Sequence, residues 1–356
     1  MVQFDLRSCD FSKCKGECLT KCLFVDYDEK KAKEDIAKLI RQEPADILAK
    51  CVTCYACNEF CPTGANPWEL INAMQQKTGL YIYPDNAKKT ARGWATKEDR
   101  IIKGDSDKPA ISLGGFMDVL PWENVFRGKL FEGLTRIMGG SYCCRMGATH
   151  MGERDPPFKF LPTLVKNLAE TGYKEIIFYH DACYSLLTSE ALAQMIEVPF
   201  KPIHYIEYIR NWLREHKDEI TPLNLKVAYQ RPCTSRYNPH GDNNETIYDW
   251  IEEIFKLLGV ELVKRKYEKE NSMCCSSGIF PTQRERAMEY VHINLQDAKD
   301  AGAEAYVFFC PICAAVMRQT SKKEFGMEPY HVIMLVQKAL GEDLPAGGAA
   351  IGIPAH

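Results

Sequence analysis

Five cysteines between residues 233 and 313 constrain this chain more strongly than any other feature of its sequence. One cysteine is isolated, two are adjacent and two form a Cys-x2-Cys motif, namely Cys233, Cys274, Cys275, Cys310 and Cys313. The first and last sites follow residues 226–230 and 305–309, which have the β-branched and aromatic composition of strands. Adjacent side chains on a regular strand point to opposite faces, so the pair can converge on one centre only in a bent loop. Three loops at strand ends can bring five sulfurs together, which is more than a tetrahedral zinc ion binds.

The alternative is that these residues are buried structural cysteines, because Cys is among the most buried residue types. That explanation suits one or two cysteines, but not five at strand-end turns. The whole chain has 16 cysteines in 356 residues, and its first residues form no apolar signal segment. We therefore expect a cytoplasmic protein with reduced thiols, in which this density of cysteine indicates metal ligands.

The spacing of the five cysteines resembles that of the CCG domain, the iron–sulfur module of the heterodisulfide reductase catalytic subunit. Ser276 stands at the position of the family's glycine, and Ser277 and Gly278 follow it. In that family, five cysteines, one of them bridging, hold a noncubane [4Fe–4S] cluster that cleaves a disulfide. The resemblance implies one noncubane [4Fe–4S] cluster here and makes the five cysteines the candidate catalytic residues.

Eight further cysteines form two groups near the N-terminus. The first group is Cys9, Cys14, Cys18 and Cys22, and the second is Cys51, Cys54, Cys57 and Cys61. The second group has the spacing of bacterial-type ferredoxins, in which the fourth cysteine of each group binds the other group's cluster. We therefore predict two [4Fe–4S] cubanes, one held by Cys51, Cys54, Cys57 and Cys22, and the other by Cys9, Cys14, Cys18 and Cys61. The first group has stretched spacing and Leu23 at the usual proline position, and a zinc module is the alternative.

The residues between and after these two groups predict helices. Residues 28–43 are rich in Lys, Glu and Ala and have one apolar face, and a second helical pattern begins at Pro67. Helices at these places resemble the α-helical ferredoxin type, so we assign residues 1–80 to such a domain. Residues 81–109 are polar and poor in aliphatic side chains, and we interpret them as a linker.

The remainder of the chain contains an internal repeat. Residues 172–183 and 302–313 each contain a glycine, a short apolar strand and a turn ending in cysteine, and an adjacent cysteine pair precedes each copy. Two tandem CCG domains are the family pattern. We therefore predict two tandem α/β domains, a degenerate CCG-type domain at 110–216 and a complete CCG domain at 217–344. The Gly- and Ala-rich residues 345–356 are expected to form a flexible tail.

The first of these halves offers a different set of ligands. Residues 114–116, Gly-Gly-Phe, stand where the second half has Cys233, and His180 replaces the first cysteine of the Cys-x2-Cys motif. The remaining candidate ligands are Cys143, Cys144, Cys183 and His180, a set that suits zinc, a conventional cluster or no metal. Without five thiolates, we expect no second noncubane cluster in this half. We interpret His204 and His331 as helix-start or packing residues.

The resemblance implies an iron–sulfur subunit of a heterodisulfide-reductase-like complex, whose cubanes pass electrons to the noncubane cluster for reduction of a disulfide or related substrate. No flavin motif or nucleotide-phosphate loop occurs, so the electrons must come from partner subunits carrying a flavin or iron–sulfur group. One alternative is an electron relay in a dehydrogenase complex that serves a quinone or flavin partner. The least favoured is a metal-stabilised scaffold.

The charge and hydropathy of the chain indicate which other partners to expect. A net charge of −3 gives no reason to expect nucleic acid, and no stretch approaches about 18 consecutive apolar residues, so we expect no direct membrane insertion. Arg231, Arg236 and His240 lie near Cys233 in the sequence and are candidate contacts for an anionic substrate.

Overall fold

A helical N-terminal part is followed by two sheets of mainly parallel strands. The computed structural model describes residues 4–115, 125–237 and 245–344, so Phe116, His240 and the expected tail at 345–356 lie outside the described residues. The strands are β1 (Arg100–Ile102), β2 (Ala110–Gly114), β3 (Thr135–Met138), β4 (Glu175–Phe178), β5 (Lys201–His204), β6 (Lys226–Gln230), β7 (Glu261–Leu262), β8 (Ala305–Phe308) and β9 (Glu328–His331). The predicted mixed α/β class is confirmed.

The helices alternate with these strands after residue 80. They are α1 (Glu17–Thr20), α2 (Glu29–Ile40), α3 (Ile47–Lys50), α4 (Ala56–Phe60), α5 (Pro67–Thr78), α6 (Asp85–Gly93), α7 (Asp155–Ala169), α8 (Asp181–Ser185), α9 (Ala191–Ala193), α10 (Tyr205–Glu215), α11 (Ile247–Leu257), α12 (Arg284–Asp300), α13 (Pro311–Lys323) and α14 (Val332–Ala339). Among the helices that the structure describes, none combines the length and the apolar character that a membrane crossing requires.

Residues 4–78 form helices and loops, with no strand in this described part of the chain. α2 follows Asp28, whose carboxylate accepts a hydrogen bond of 2.7 Å from the backbone N–H of Lys31. α5 has Pro67 at its first position and ends before Gly79, whose φ of 66° suits glycine. Both helices were expected from the sequence. Their assignment to a ferredoxin domain stays a prediction.

Residues 81–109 contain more structure than the linker that we predicted. They include α6 and the edge strand β1, which pairs antiparallel with β3. The side chains of β1 are mostly exposed, which explains the polar composition that we took for a linker. Tyr81 is buried instead, and its hydroxyl donates to the carbonyl oxygen of Gly278 at 2.8 Å. The segment therefore extends the first sheet and contacts the second half of the chain.

The parallel strands have the same order in both sheets. The first sheet is ordered β1-β3-β2-β4-β5 and the second β7-β6-β8-β9, so each parallel set runs second-first-third-fourth in chain order. This order is typical of doubly wound α/β sheets. In addition, the adjacent cysteine pair of each half precedes a residue in the left-handed region, Arg145 (φ 60°) and Ser276 (φ 62°). Both observations support the internal repeat, which stays an interpretation.

The two sheets share a core of buried apolar side chains. Ile111 and Ile177 of the first sheet belong to the same cluster as Val227 and Val307 of the second. Continuous apolar strands of this kind are typical of parallel sheets, which are covered on both faces. The shared core packs the two halves against each other. Open α/β sheets bind their ligands at the carboxyl ends of their strands.

His204 and His331 are N-cap residues, as the sequence indicated. Nδ1 of His204 accepts from the N–H of Ile206 at 3.2 Å, and Nδ1 of His331 accepts from that of Ile333 at 3.3 Å. Burial lowers the pKa of His204 to about 4 and that of His331 to about 3. Both imidazoles therefore stay neutral and keep the acceptor nitrogen that a cap requires.

Candidate iron–sulfur sites

Three loops beyond the second sheet carry the five cysteines assigned to the CCG domain. Cys233 opens a 3-10 turn after β6, while Cys310 is the N-cap of α13 and Cys313 lies in its first turn. Residues 274–275 lie in a loop that turns at Ser276, whose φ of 62° is in the left-handed region. Glycine would adopt this region at less cost than serine does.

The five thiols are close enough to shift the pKa values of their neighbours. In order, the interacting thiols are Cys233, Cys274, Cys275, Cys313 and Cys310. The interaction with Cys274 lowers the pKa of Cys233 to about 6, and the interaction with Cys313 lowers that of Cys310 to about 7. Five interacting thiols cannot all ionise without a cation, because thiolates in a buried site repel one another. The donor set therefore fits a group that carries several iron ions, and the role of these cysteines as ligands stays a prediction.

The sulfurs of this group differ in their exposure. Cys274, Cys275, Cys310 and Cys313 are buried, whereas Cys233 is partly exposed. Cys233 is therefore the most exposed residue of the five.

The first half places its candidate ligands at equivalent points of its own sheet. His180 is the N-cap of α8 after β4, and Cys183 lies in the first turn of that helix, as Cys310 and Cys313 do in α13. The ligand atoms of Cys144, His180 and Cys183 all lie within 4.8 Å of one another. The structure therefore brings three of the four candidates into a compact group, and Cys143 adjoins it in sequence.

His180 contacts both groups of cysteines. Burial alone would lower the pKa of this imidazole, but hydrogen bonds with Cys144 and Cys310 raise it well above its usual value. A hydrogen bond from Cys183 lowers the pKa of Cys144 to about 5, while burial raises that of Cys143 to about 11. One imidazole therefore lies between the thiols of the first half and those of the second.

The backbone explains why the first half has no counterpart of Cys233. A Cβ atom added to Gly115 would lie 2.4 Å from the carbonyl oxygen of Trp94, which is closer than a side-chain carbon can approach. Gly114 has a φ of 59°, in the region that favours glycine. Neither position accepts a cysteine without rearrangement, in line with the expectation that this half holds no five-cysteine site.

The eight N-terminal cysteines line two neighbouring pockets. One pocket contains Cys22, Cys51, Cys54 and Cys57, and the other contains Cys9, Cys14, Cys18 and Cys61, with Cys18 also reaching the first. Apart from the second contact of Cys18, each pocket thus holds three cysteines of one sequence group and the last cysteine of the other. The structure brings together the two sets of four that ferredoxin spacing predicts.

The environment of these N-terminal thiols suits metal ligands. Burial raises the pKa of Cys9 to about 11 and that of Cys54 to about 12, so both keep their protons unless a metal replaces them. The backbone N–H groups of Thr53 and Ala65 each lie 3.3 Å from a sulfur, that of Cys51 and that of Cys61 respectively. Amide donors of this kind stabilise the negative charge of a thiolate.

The pocket around Cys54 adjoins the five-cysteine group. Besides burial and the charge of Cys22, the charge of Cys233 also raises the pKa of Cys54. Ser272, two residues before Cys274, lines the same pocket as Cys54. One N-terminal cysteine set therefore lies next to the CCG-domain cysteines.

Arg231 and Arg236 have a different role from the substrate contact that we proposed for them. Arg231 Nη1 donates to both carboxylate oxygens of Glu59, at 3.0 and 2.9 Å, and Arg236 forms an ion pair with the same carboxylate. Tyr248 donates a further hydrogen bond to Glu59, at 2.9 Å. Burial alone would raise the pKa of Glu59, but the two guanidinium ions lower it below its usual value. Both arginines are buried and join the N-terminal helices to the second half.

His150 is a site residue that the sequence did not reveal. It lies in a 3-10 segment of the first half, yet its Nε2 is 3.9 Å from Sγ of Cys233. Its Nδ1 is 2.8 Å from Oγ1 of Thr53, between Cys51 and Cys54. No spacing or repeat in the sequence connects this histidine with either cysteine group, because both contacts are between residues far apart in the chain.

Comparison with known proteins gives one family match and several relatives. Residues 227–318 match the CCG cysteine-rich domain family. The chain is 21% identical over 338 residues to the D-type subunit of dihydromethanophenazine:CoB–CoM heterodisulfide reductase from Methanosarcina barkeri, an alignment that covers 84% of this chain and 80% of that relative. The corresponding protein of Methanosarcina mazei is also 21% identical, with the same coverage.

A solved structure resembles this fold. A hypothetical protein from Helicobacter pylori superposes with a TM-score of 0.53 over 81% of this chain, at 12% sequence identity. This chain spans about 60% of the length of that protein. At this level of identity, the likeness concerns the fold alone.

Proposed function

We propose that this chain, a CCG-domain iron–sulfur protein similar to the D-type subunit of heterodisulfide reductase, is the iron–sulfur subunit of a cytoplasmic oxidoreductase complex. The resemblance stated from its cysteines is confirmed, and the reaction proposed here is the reduction of a disulfide or related substrate. The observation that carries this proposal is the convergence of five sulfurs from three loops beside an N-terminal cysteine set.

Two ordinary cubanes and one noncubane cluster are the proposed cofactors of the electron path. The grouping of the N-terminal cysteines in two pockets supports the cubanes, with Cys22 and Cys61 as the exchanged ligands. The five interacting thiols from three loops support the noncubane cluster. The nearness of Cys54 to Cys233 supports transfer from the cubane of that pocket to the CCG domain.

The proposed reaction adds two electrons and two protons to a disulfide, which breaks its sulfur–sulfur bond and yields two thiols. The electrons come from a partner subunit that carries a flavin or an iron–sulfur group. When bound, the cluster at the five cysteines supplies iron that can bind a substrate sulfur as a Lewis acid and deliver electrons.

The side chains and amides around the five cysteines hold the ligands and exclude water. The N–H of Ser276 lies 3.3 Å from Sγ of Cys274 and stabilises its negative charge. Four of the five sulfurs are buried, so a substrate would approach from the side of Cys233. The ion pairs of Arg231 and Arg236 with Glu59 keep the N-terminal helices against this site.

The first half is proposed to bind a single metal ion through Cys143, Cys144, Cys183 and His180. Ligand atoms bound to one zinc ion at distances of about 2.0–2.3 Å cannot be more than about 4.6 Å apart. The group of Cys144, His180 and Cys183, within 4.8 Å, is close to that limit, which favours one ion over a conventional cluster. The second half alone would then perform the chemistry.

Anaerobic purification of the full chain, with iron analysis and electron paramagnetic resonance, tests the proposal. Cys275→Ser should remove about four irons and the CCG-domain signal while the N-terminal signals persist. Cys14→Ser is the matched control, because it makes the same change in the other group and should affect an N-terminal cluster only. A Cys275→Ser protein with full iron content and full disulfide reduction would show that the site is misassigned.

An electron relay is the second candidate function, and the burial of the sulfurs favours it. Cys274, Cys275, Cys310 and Cys313 are buried, and the arginines near Cys233 are bound to Glu59 instead of facing a substrate. The fully reduced chain should therefore be mixed with a disulfide and, separately, with a flavin or quinone acceptor. Thiol formation supports the reductase, whereas electron transfer to the acceptor without thiol formation supports the relay.

A further inference from the structure

We infer that His150, which belongs to the first half of the chain, is a positioning residue for the cysteine site of the second half. Its imidazole donates a hydrogen bond to Sγ of Cys233 and raises the reduction potential of the cluster bound there. This inference rests on the proposed function, because it concerns the cluster assigned to the five cysteines.

The imidazole connects two cysteine groups. Nε2 lies 3.9 Å from Sγ of Cys233, and Nδ1 lies 2.8 Å from Oγ1 of Thr53. The backbone N–H of Thr53 in turn lies 3.3 Å from Sγ of Cys51. A single side chain therefore bridges a ligand loop of the proposed cubane and the partly exposed ligand of the proposed catalytic cluster.

The segment that carries His150 is held in place from several sides. The hydroxyl of Tyr55 lies 2.7 Å from Oγ1 of Thr149, and Asn72 Nδ2 donates to the carbonyl oxygen of Thr149 at 2.9 Å. The ring of Tyr55 meets that of His150 edge-on, with centroids 5.6 Å apart and an interplanar angle of 82°. These contacts fix the position of the imidazole and keep Nε2 directed toward Cys233.

The direction of the hydrogen bond follows from the partners of both ring nitrogens. A metal-bound thiolate has no proton, so Nε2 must carry the hydrogen that points to Cys233. In the neutral imidazole, Nδ1 accepts from the Thr53 hydroxyl. In the cationic imidazole, Nδ1 donates to that hydroxyl, which can donate to the carbonyl oxygen of Val52 at 2.7 Å. Nε2 is the donor in both protonation states, so the inference does not depend on the pKa of His150.

The effect on the cluster follows from its charge. Hydrogen bonds to the sulfurs of an iron–sulfur cluster help to set its reduction potential, because they favour the more negative, reduced form. Partners around the ligands tune metal sites in this way generally. The first half, which lacks its own counterpart of Cys233, thus contributes to the electronic properties of the cluster in the second half.

A redox titration of the full chain, followed by electron paramagnetic resonance, tests this role. In His150→Ala, the ratio of reduced to oxidised CCG-domain cluster at a fixed potential should fall about tenfold, equivalent to about 59 mV for one electron. His150→Gln should recover most of the wild-type ratio, because its amide nitrogen can donate from a position close to that of Nε2. His292→Ala is the matched control, since His292 binds Glu324 at the surface.

The outcomes separate this inference from the proposed function. A wild-type protein without a CCG-domain cluster refutes the proposed function itself. If that cluster is present but His150→Ala has the wild-type potential, or if glutamine shifts it as far as alanine does, the hydrogen bond has no role. Loss of the cluster's iron in both variants would make His150 a ligand or an assembly residue and would also overturn the inference.

Discussion

Glu59 is the residue whose replacement should most weaken the contact between the N-terminal helices and the CCG domain. It lies on α4 and pairs with Arg231 and Arg236, whose side chains are only 1% and 3% exposed. Glutamine has nearly the same shape but no charge, so Glu59→Gln leaves two buried guanidinium ions without a counterion. Breaking a buried ion pair in this way costs about 3–5 kcal/mol.

We expect the lower end of that range for Glu59→Gln, about 3 kcal/mol, because Arg236 keeps its backbone partners and water can reach part of the site. Arg236 still donates to the carbonyl oxygens of Glu270 and Ser272, at 2.9 and 2.7 Å. The Glu59 side chain is itself 17% exposed, so water can reach part of the site. Urea unfolding under anaerobic conditions, followed by circular dichroism, should show a lower midpoint for the first transition.

Glu43→Gln is the matched control for this substitution. Glu43 forms a similar two-bond pair with Arg41, but both side chains are at the surface, so the midpoint should not change. Equal midpoints for Glu59→Gln and the wild type would show that the buried pair contributes no stability and would refute the reasoning.

The same pair gives a pH dependence. The arginines lower the pKa of Glu59 below its unfolded value despite burial, so its carboxylate stabilises the fold above the unfolded pKa of about 4.3. This contribution is lost as the pH falls through the folded pKa. The difference in stability between wild type and Glu59→Gln should therefore be constant near neutral pH and shrink below about pH 4.3.

Two further predictions concern the cysteine loops. Ser276→Gly should raise the melting temperature, because it removes left-handed backbone strain of about 1 kcal/mol. The neighbouring Ser277→Gly is the control and should not raise it. Equal shifts in the two variants would contradict this explanation. Cys183→Ser should remove one metal ion per chain in elemental analysis without changing the iron content, and a loss of about four irons would instead show a cluster in the first half.

The sequence predicted the fold class and the CCG domain better than the surroundings of the cysteines. The α/β class and the CCG domain follow from features within a few residues of one another, namely apolar strands ending in cysteine turns. Residues 81–109 include an exposed edge strand, whose polar composition is the same as that of a linker. The role of Arg231 was misjudged because its partner, Glu59, lies 172 residues away in the chain.

The sequence by itself determined which cysteines of one motif lie near each other, because a spacing of two or three residues in a turn limits how far apart their sulfurs can lie. The tertiary structure alone decided how these local groups face one another. In the folded chain, Arg231 and Arg236 pair with Glu59, and His180 interacts with cysteines of both halves. His150 lies beside Cys233, although the two residues are 83 positions apart in the sequence. Such contacts depend on the packing of the two sheets and the N-terminal helices, and no local pattern of residues encodes them.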